Sequence, residues 1–275
     1  MTELSLHIGW RFWRGRNNNG FVSFISVSSV VGITLGVAVL IIVLSAMNGF
    51  ERELRERLLA VVPHGEFLAV EGALQDWPRL QQALEQEPEV IAAAPFIALQ
   101  GLMQRGETMK PVTLRGIEPS LEQRTSNVAE FIDEAGWASL DNAANQVVLG
   151  AALANSLEAK IGDRVSLLIP AADPRQSPVQ RVLTVSGLFK LGGEIDSAMA
   201  YTNMQTAADI AGLTGPNGMR FSVQDLFAAP AVIHRVGFAQ NEALYLQDWT
   251  RTQGHLYSDI QLIRMLTYLV LVLVV

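Results

Sequence analysis

The chain contains no cysteine, and charged residues are scarce, since Asp, Glu, Lys and Arg together make up only 17% of its 275 residues. Without a thiol it cannot be a disulfide scaffold, and it lacks a common ligand of structural zinc. Soluble domains carry about 25% charged residues. The lower share here, with 49% hydrophobic residues and a mean hydropathy of +0.25, indicates a membrane-associated chain.

Basic stretches and enzyme motifs are lacking as well. The net charge is -7 and no Lys/Arg-rich run occurs after residue 16, which argues against nucleic acid as a partner. The sequence contains no phosphate-binding GxxxxGK[ST] loop, no GxGxxG turn, no HExxH and no GxSxG. Its four histidines are scattered. We therefore predict no catalytic residue, no metal site and no cofactor in this chain.

One long uncharged run lies near the N-terminus, from Phe21 to Met47. As a helix it would be about 40 Å long at roughly 1.5 Å per residue, more than the roughly 30 Å hydrocarbon core. A signal peptide would have a shorter apolar region and a small-residue cleavage site, which Leu44-Ser45-Ala46 fits poorly. The run therefore predicts an uncleaved membrane span. Three arginines flank the run on each side, so their count does not decide its orientation; the glutamates interleaved with the later arginines and the long domain that follows favour a cytoplasmic N-terminus.

The middle of the chain has a soluble composition. Pro, Gly and Asp turns separate seven short strand-like runs, at 66–70, 96–104, 111–117, 146–150, 163–169, 180–189 and 197–203. Helical patterns interrupt them at 76–87, 150–158 and 204–212. A second apolar run has only eleven residues after Arg264, too few to span, so we expect the chain to stop within a second membrane helix. The predicted fold class is a membrane protein with an α-helical membrane part plus an α+β domain.

These patterns predict four segments along the chain. They are a cytoplasmic segment at 1–20, membrane helix 1 at 21–47, an α+β domain with a helical stalk at 48–259, and the start of membrane helix 2 at 260–275.

Small residues recur along one face of the first membrane helix. At about 100° per residue, Ser28, Gly32 and Gly36 fall within a sector of about 80°, a spacing that lets two helix backbones approach closely. Four bulky apolar positions continue the same face: Val43, Met47, Phe50 and Leu54.

Two interpretations of this face are open. One is plain packing in a helix bundle. The other is that a partner helix touches at the glycine end and diverges further out, leaving an apolar cleft that holds acyl chains. The side chain of Met47 is flexible and polarizable, so it can adapt to different bound acyl chains.

A proline-rich loop, PAADPRQSPVQ, contains Pro170, Pro174 and Pro178 and separates two strand-like runs. An ordinary hairpin connection is the favoured interpretation. The alternative is a projecting docking element, because proline reduces the entropy lost on binding.

Three stretches resemble a known family: IGWRFWRGR at the start, then GITLGVAVLIIVLSAMNGFERELRERLLAVVPHGE, and later VVLGAALANSLEAKIGDRVSLLIP. They look like the membrane subunits of the bacterial lipoprotein-releasing ABC transporter, the LolC/LolE family. LLAVVPHGE and the short proline loop are nearer to the LolE type. The family resemblance implies a multi-pass protein of the bacterial inner membrane whose main domain is periplasmic and similar to the MacB-like periplasmic core domain.

The resemblance also implies partners and a function. Such a subunit pairs with its LolC-like paralogue on two LolD-like ATPase subunits, which bind ATP and Mg. The complex takes acylated lipoproteins from the membrane and passes them to a periplasmic, LolA-like carrier.

The resemblance further implies roles for individual residues. Val43, Met47, Phe50 and Leu54 would line the acyl-chain cavity, and Pro170 to Gln180 would correspond to the carrier-docking loop. That loop is shorter here than in the LolC type. Direct and indirect contact of this subunit with the carrier are therefore both open. A MacB-like efflux subunit or an FtsX-like signalling subunit shares this architecture and is the alternative function.

Overall fold

The computed structural model describes residues 20–53, 63–170, 177–192 and 195–252, together with His7, Arg11, Leu262 and Met265. The chain forms two compact units. One comprises Met1–Glu53 with His255–Val275, and the other comprises Leu54–Gly254. Most of the predicted segments 1–20 and 260–275 therefore lies outside the described residues, and the predicted segment boundaries stay predictions.

The first unit contains one long helix, α1 (Gly20–Glu53). Its stretch Phe24–Ala46 has a mean hydropathy of 2.7, and by length and composition it can cross a membrane. The polar side chain of Thr34 is satisfied within the helix, where its hydroxyl donates to the Val30 carbonyl at 2.7 Å. This bond lowers the cost of a hydroxyl group in an apolar environment.

The second unit is an α+β domain, which confirms the α+β class predicted from the sequence. Its strands are β1 (Gly65–Ala69), β2 (Val90–Arg105), β3 (Thr108–Ile117), β4 (Gln146–Gly150), β5 (Arg164–Ile169), β6 (Val179–Phe189), β7 (Met199–Asn203), β8 (Gly218–Val223) and β9 (Leu244–Asp248). Its α-helices are α2 (Trp77–Glu85), α3 (Pro119–Thr125), α4 (Glu134–Asn142), α5 (Ala151–Ser156), α6 (Ile195–Ala198), α7 (Met204–Ala211), α8 (Ala229–Phe238) and α9 (Trp249–Thr252). Two 3₁₀ helices, Val128–Phe131 and Leu226–Ala228, complete the described elements.

All nine strands belong to one sheet, in the order β3-β7-β4-β6-β5-β2-β8-β1-β9. Strand β3 also pairs with β2, so six strands close on themselves. We call these six strands, β2 to β7, the ring. The three remaining strands, β8, β1 and β9, extend from the N-terminal part of β2, and we call them the half-sheet.

The ring is filled by apolar side chains that alternate along its strands. Val147 and Leu149 of β4 join the inner cluster with Leu167, whereas Val148 between them joins an outer cluster with Tyr201. This alternation follows from the two-residue period of a strand. Helices α5 and α7 contribute to the inner cluster, and α4 contributes to the outer one.

The half-sheet has its own apolar packing. Phe67 of β1 and Phe221 of β8 are buried, with ring centroids 5.8 Å apart. Helix α2 buries Leu80 and Leu84, and α8 buries Val232, Ile233 and Val236. Asp76 precedes α2, and its carboxylate accepts a hydrogen bond from the Arg79 amide. This is the usual N-cap arrangement.

Strand β2 changes its partner on one edge, from β8 at Val90–Phe96 to β5 at Leu102–Gln104. In the gap, the side-chain amide of Asn217 pairs with the backbone of Ala98. It accepts from the Ala98 N–H at 2.8 Å and donates to the Ala98 carbonyl at 3.0 Å. Gly101 lies where β5 approaches, and a Cβ there would be 2.5 Å from the Leu168 carbonyl oxygen. The Asn217 side chain thus makes the two hydrogen bonds that the backbone of a neighbouring strand would otherwise make.

Replacing Asn217 with Ala should remove both of these hydrogen bonds. At about 0.5 to 1.5 kcal/mol for each bond, we expect the free energy of unfolding to fall by about 1 to 3 kcal/mol. Chemical denaturation of the purified protein measures the change, and Asn241→Ala, at an exposed position, is the control. An Asn217→Ala protein as stable as wild type would show that the two bonds contribute nothing net.

Candidate functional site

The predicted apolar face lies on a single continuous helix. Helix α1 includes positions 28, 32, 36, 43, 47 and 50, whereas Leu54 lies outside the described residues. With helical backbone geometry these positions share a sector of about 100°. A Cβ on Gly32 would meet no atom within 4 Å, and Val43 is 40% exposed. The described part of the face therefore has room for a partner.

The apolar stretch of α1 ends before the helix does. The stretch ends at Ala46 and the helix at Glu53, about 10 Å further along the axis. The small residues Ser28, Gly32 and Gly36 therefore lie within the stretch, whereas Met47 and Phe50 lie just beyond its end. A cleft lined by these two positions would be at the rim of an apolar layer and not at its centre.

The proline loop joins two antiparallel strands, as the hairpin interpretation predicts. Ile169 of β5 is paired with Val179 of β6, and both Pro170 and Pro178 are exposed. Pro174 lies outside the described residues. The first four residues of β6, Val179–Val182, are exposed on both faces, so this end of the hairpin stands away from the packed ring.

A buried ionic cluster was missed by the sequence analysis. It consists of Glu66 on β1, Arg115 on β3, Glu122 on α3 and Arg220 on β8. The Arg115 guanidinium donates to both carboxylate oxygens of Glu66, one of them at 3.0 Å. Arg220 donates to Glu122 Oε1, which also accepts from the Ser126 hydroxyl at 2.5 Å. The side chains of Arg220 and Glu122 are only 2% and 1% exposed.

The surroundings of Arg115 keep its guanidinium charged. Burial alone would lower the pKa of Arg115, but the charge and hydrogen bonds of Glu66 outweigh it, so the pKa is raised. The guanidinium also lies 4.8 Å from the centre of the Phe96 ring, a cation–π contact. Burial raises the pKa of the neighbouring Tyr201, against the opposing effect of Arg220 and Arg115. The tyrosine is therefore held neutral beside two permanent cations.

The only signal of this cluster in the sequence was a charged residue in two of the strand-like runs, Glu66 at the start of 66–70 and Arg115 within 111–117. The partners cannot be found from spacing, because Glu66 and Arg115 are 49 residues apart and Glu122 and Arg220 are 98 apart. Among the described residues, no group of three or more His, Asp and Glu is placed to hold a metal ion.

The raised pKa of Tyr201 predicts a stability loss at high pH. Below about pH 10 the tyrosine is neutral in both folded and unfolded states. Above it the unfolded chain loses the proton first, so the free energy of unfolding falls by up to about 1.4 kcal/mol per pH unit until the folded-state pKa is reached. Tyr201→Phe should remove this part of the slope. Unfolding at pH 8 to 11 measures it, and Tyr245→Phe, at an exposed tyrosine, is the control. Equal slopes for wild type and Tyr201→Phe would contradict the prediction.

Comparison with known proteins identifies the family. Residues 26–236 match the family described as the MacB-like periplasmic core domain. The "Lipoprotein-releasing system transmembrane protein LolE" of Haemophilus influenzae is 36% identical over 98% of this chain and 66% of its own length. LolC proteins of Xylella fastidiosa strain 9a5c and Neisseria meningitidis serogroup B are 35% and 32% identical, over 95% and 100% of this chain and 64% and 68% of theirs.

The chain thus spans about two thirds of the length of these relatives. The matches to LolE and LolC proteins extend over nearly the whole chain, membrane helix included, so they confirm the resemblance inferred from the sequence. The chain belongs to the LolC/LolE family of lipoprotein-releasing system transmembrane proteins, and its α+β domain is a MacB-like periplasmic core domain.

Proposed function

We propose that this chain is part of the membrane subunit of an ABC transporter that extracts acylated lipoproteins from the bacterial inner membrane and passes them to a periplasmic carrier. The observation that carries the proposal is the identity of 32 to 36% with proteins named as parts of the lipoprotein-releasing system. The apolar helix α1, followed along the chain by a periplasmic core domain, is consistent with it.

In this proposal the chain is not catalytic. Its partners are a LolC-like paralogue and two LolD-like ATPase subunits, which bind ATP and Mg and supply the energy. The chain supplies surfaces for the acyl chains and for the periplasmic partner. The protein spans the inner membrane several times, and its main domain is periplasmic.

The size of the apolar substrate explains why energy is required. Three acyl chains of about 15 methylenes, at about 0.8 kcal/mol each, represent roughly 36 kcal/mol of apolar burial. Spontaneous escape into water at that cost is not feasible. The transporter must therefore offer a dry surface before the chains leave the lipid, and must close that surface when the carrier accepts them.

The face of α1 fits this requirement. Ser28, Gly32 and Gly36 would let a partner helix approach closely. Beyond them, Val43, Met47, Phe50 and Leu54 would line a widening apolar cleft. Because Met47 and Phe50 lie just past the apolar stretch, acyl chains in the cleft would already be leaving the lipid layer.

The hairpin between β5 and β6 would be the docking element for the carrier, either directly or through the paralogous subunit. The exposure of Val179–Val182 on both faces supports this role, since this end of the hairpin has surface to offer. Pro170, Pro174 and Pro178 would limit the entropy lost when the loop is held by a partner.

A carboxylate in the cleft should stop lipoprotein release. An uncompensated charge among acyl chains costs about 2.5 kcal/mol or more, so we expect Met47→Asp and Phe50→Asp to reduce release at least about tenfold. Asn48→Asp is the matched control, because position 48 is at the same depth and about 160° around the helix from Phe50. Release of a labelled lipoprotein from spheroplasts measures the effect. Normal release by both variants, at normal protein levels, would exclude the cleft.

Photo-crosslinking tests the function directly. A photo-reactive amino acid replaces position 47 in the full-length protein, with position 48 as control, and the adducts formed in cells are identified by mass spectrometry. We expect adducts on the acylated N-terminal cysteine of lipoproteins at position 47 and not at position 48. Adducts only on a membrane helix or phospholipid would mean that the face serves packing. Co-purification of an outer-membrane efflux channel or a cell-wall hydrolase would instead favour MacB-like efflux or FtsX-like signalling.

A further inference from the structure

The ionic cluster spans the two parts of the α+β domain. Arg115 belongs to β3 of the ring, and Glu66 belongs to β1 of the half-sheet. Between these strands lie β2 and β8, so the guanidinium and the carboxylate meet above two intervening strands. No other described ion pair joins β3 to the half-sheet.

The pairing register shows how this contact is made. Arg115 is opposite Ala98 on β2, and Ala94 on the same face of β2 is opposite Arg220 on β8, which is opposite Glu66. Directly paired residues point to the same face of a sheet. The residues beneath the Arg115 side chain on β2 are thus small, apart from Phe96, whose ring receives the guanidinium. The alanines leave the space that a long side chain needs to cross a strand.

The second ion pair adds a further connection on the same face. Helix α3, which directly follows β3 in the chain, packs on β2. Its Glu122 is bonded to Arg220 of the half-sheet. Since α3 follows ring strand β3 and packs mainly on β2, we count it with the ring, and both cations are then paired with a carboxylate across the boundary between the two parts. Breaking either pair would leave a buried charge without its partner, which is far more costly than losing an exposed pair.

The two parts have different connections along the chain. The half-sheet receives the chain from the first membrane helix at His64 and returns it toward the second apolar run at Trp249, and the Trp249 N–H donates to the His64 carbonyl at 3.2 Å. The ring carries the proline-rich hairpin of β5 and β6. Among the residues that the structure describes, the pairing of β2 with β8, the Asn217 side chain on Ala98 and the ionic cluster connect the membrane-linked part to the hairpin-bearing part, in addition to apolar packing.

We propose that Glu66, Arg115, Glu122 and Arg220 form a clasp that holds the half-sheet and the ring as one rigid body, so that a displacement imposed on the half-sheet by the membrane segments reaches the hairpin. Without the clasp, the half-sheet is attached mainly through the N-terminal part of β2 and can rotate about that strand. The rigidity is a property of this domain alone, and only its use in lipoprotein release rests on the proposed function.

Distance measurements between spin labels test the clasp. The chain has no cysteine, so labels can be placed at will in the full-length protein in nanodiscs. One label pair crosses the boundary, at Ala231 on α8 and Lys160 in the loop before ring strand β5. A second pair, at Asp141 on α4 and Lys160, stays on the ring side. All three positions are exposed. Glu66→Gln and Arg115→Met should broaden the distance distribution of the crossing pair and leave that of the ring pair unchanged.

The exposed ion pair between Arg235 and Glu87 provides the matched control, because Arg235→Met removes an ion pair that does not cross the boundary. We expect it to change neither distribution. Arg115→Lys keeps the charge but loses the two-pronged contact, so it should give an intermediate broadening if Arg115→Met does not fold. Hydrogen exchange should become at least about tenfold faster in β1, β8 and β9 of the clasp variants, with β4 to β7 unaffected.

Two results would overturn the proposal. One is an unchanged crossing distribution in folded Glu66→Gln and Arg115→Lys proteins, and the other is equal loss of exchange protection in ring and half-sheet. Neither measurement depends on lipoprotein release. If the crossing distance distribution broadens but no lipoprotein adducts form at position 47, the clasp is supported and the proposed function is not. If the adducts form but the distribution does not broaden, the proposed function is supported and the clasp is not.

Discussion

The α+β domain depends on one strand. The sixteen residues of β2 pair with β3 along one edge and with β8 and then β5 along the other, so this strand belongs to the ring and to the half-sheet at once. Every backbone amide in such a strand needs a partner, and a change of partner leaves a gap. The side-chain amide of Asn217 fills that gap, and Gly101 allows β5 to come close. The architecture is therefore decided by local pairing at a few residues.

Burial of charge is the second constraint. Two arginines and two glutamates are largely buried where α3 packs on the sheet, and the Arg115 guanidinium lies over the Phe96 ring. Isolated charges in such a place would be costly, but paired charges with hydrogen bonds are tolerated. The pairs connect elements that are distant in the chain, so they select one arrangement of the two parts. Apolar packing is less directional, since side chains of similar volume substitute for each other with small cost.

In the proposed function, the membrane helix and the periplasmic domain have different roles. Helix α1 is long enough to cross the apolar layer and continue beyond it, which places Met47 and Phe50 at the rim. The domain that follows offers a hairpin, exposed at its outer end, on a well-packed ring. Lipoprotein transfer requires both a dry surface near the lipid and a periplasmic contact. The chain provides a candidate for each. The candidate dry surface lies near residue 47, and the candidate contact lies near residue 178.

The sequence by itself was sufficient for the apolar span, the α+β class, the hairpin and the family, because these depend on local composition, period and motif. Seven strand runs and three helices were predicted, but β2 begins at Val90, six residues before the predicted run. Helices α3, α4, α6, α8 and α9 and strands β8 and β9 were missed. Only the tertiary structure decided the closure of the ring, the role of Asn217 and the ionic cluster. Each of these joins residues separated by tens of positions, and no local pattern specifies which distant strand or charge becomes the partner.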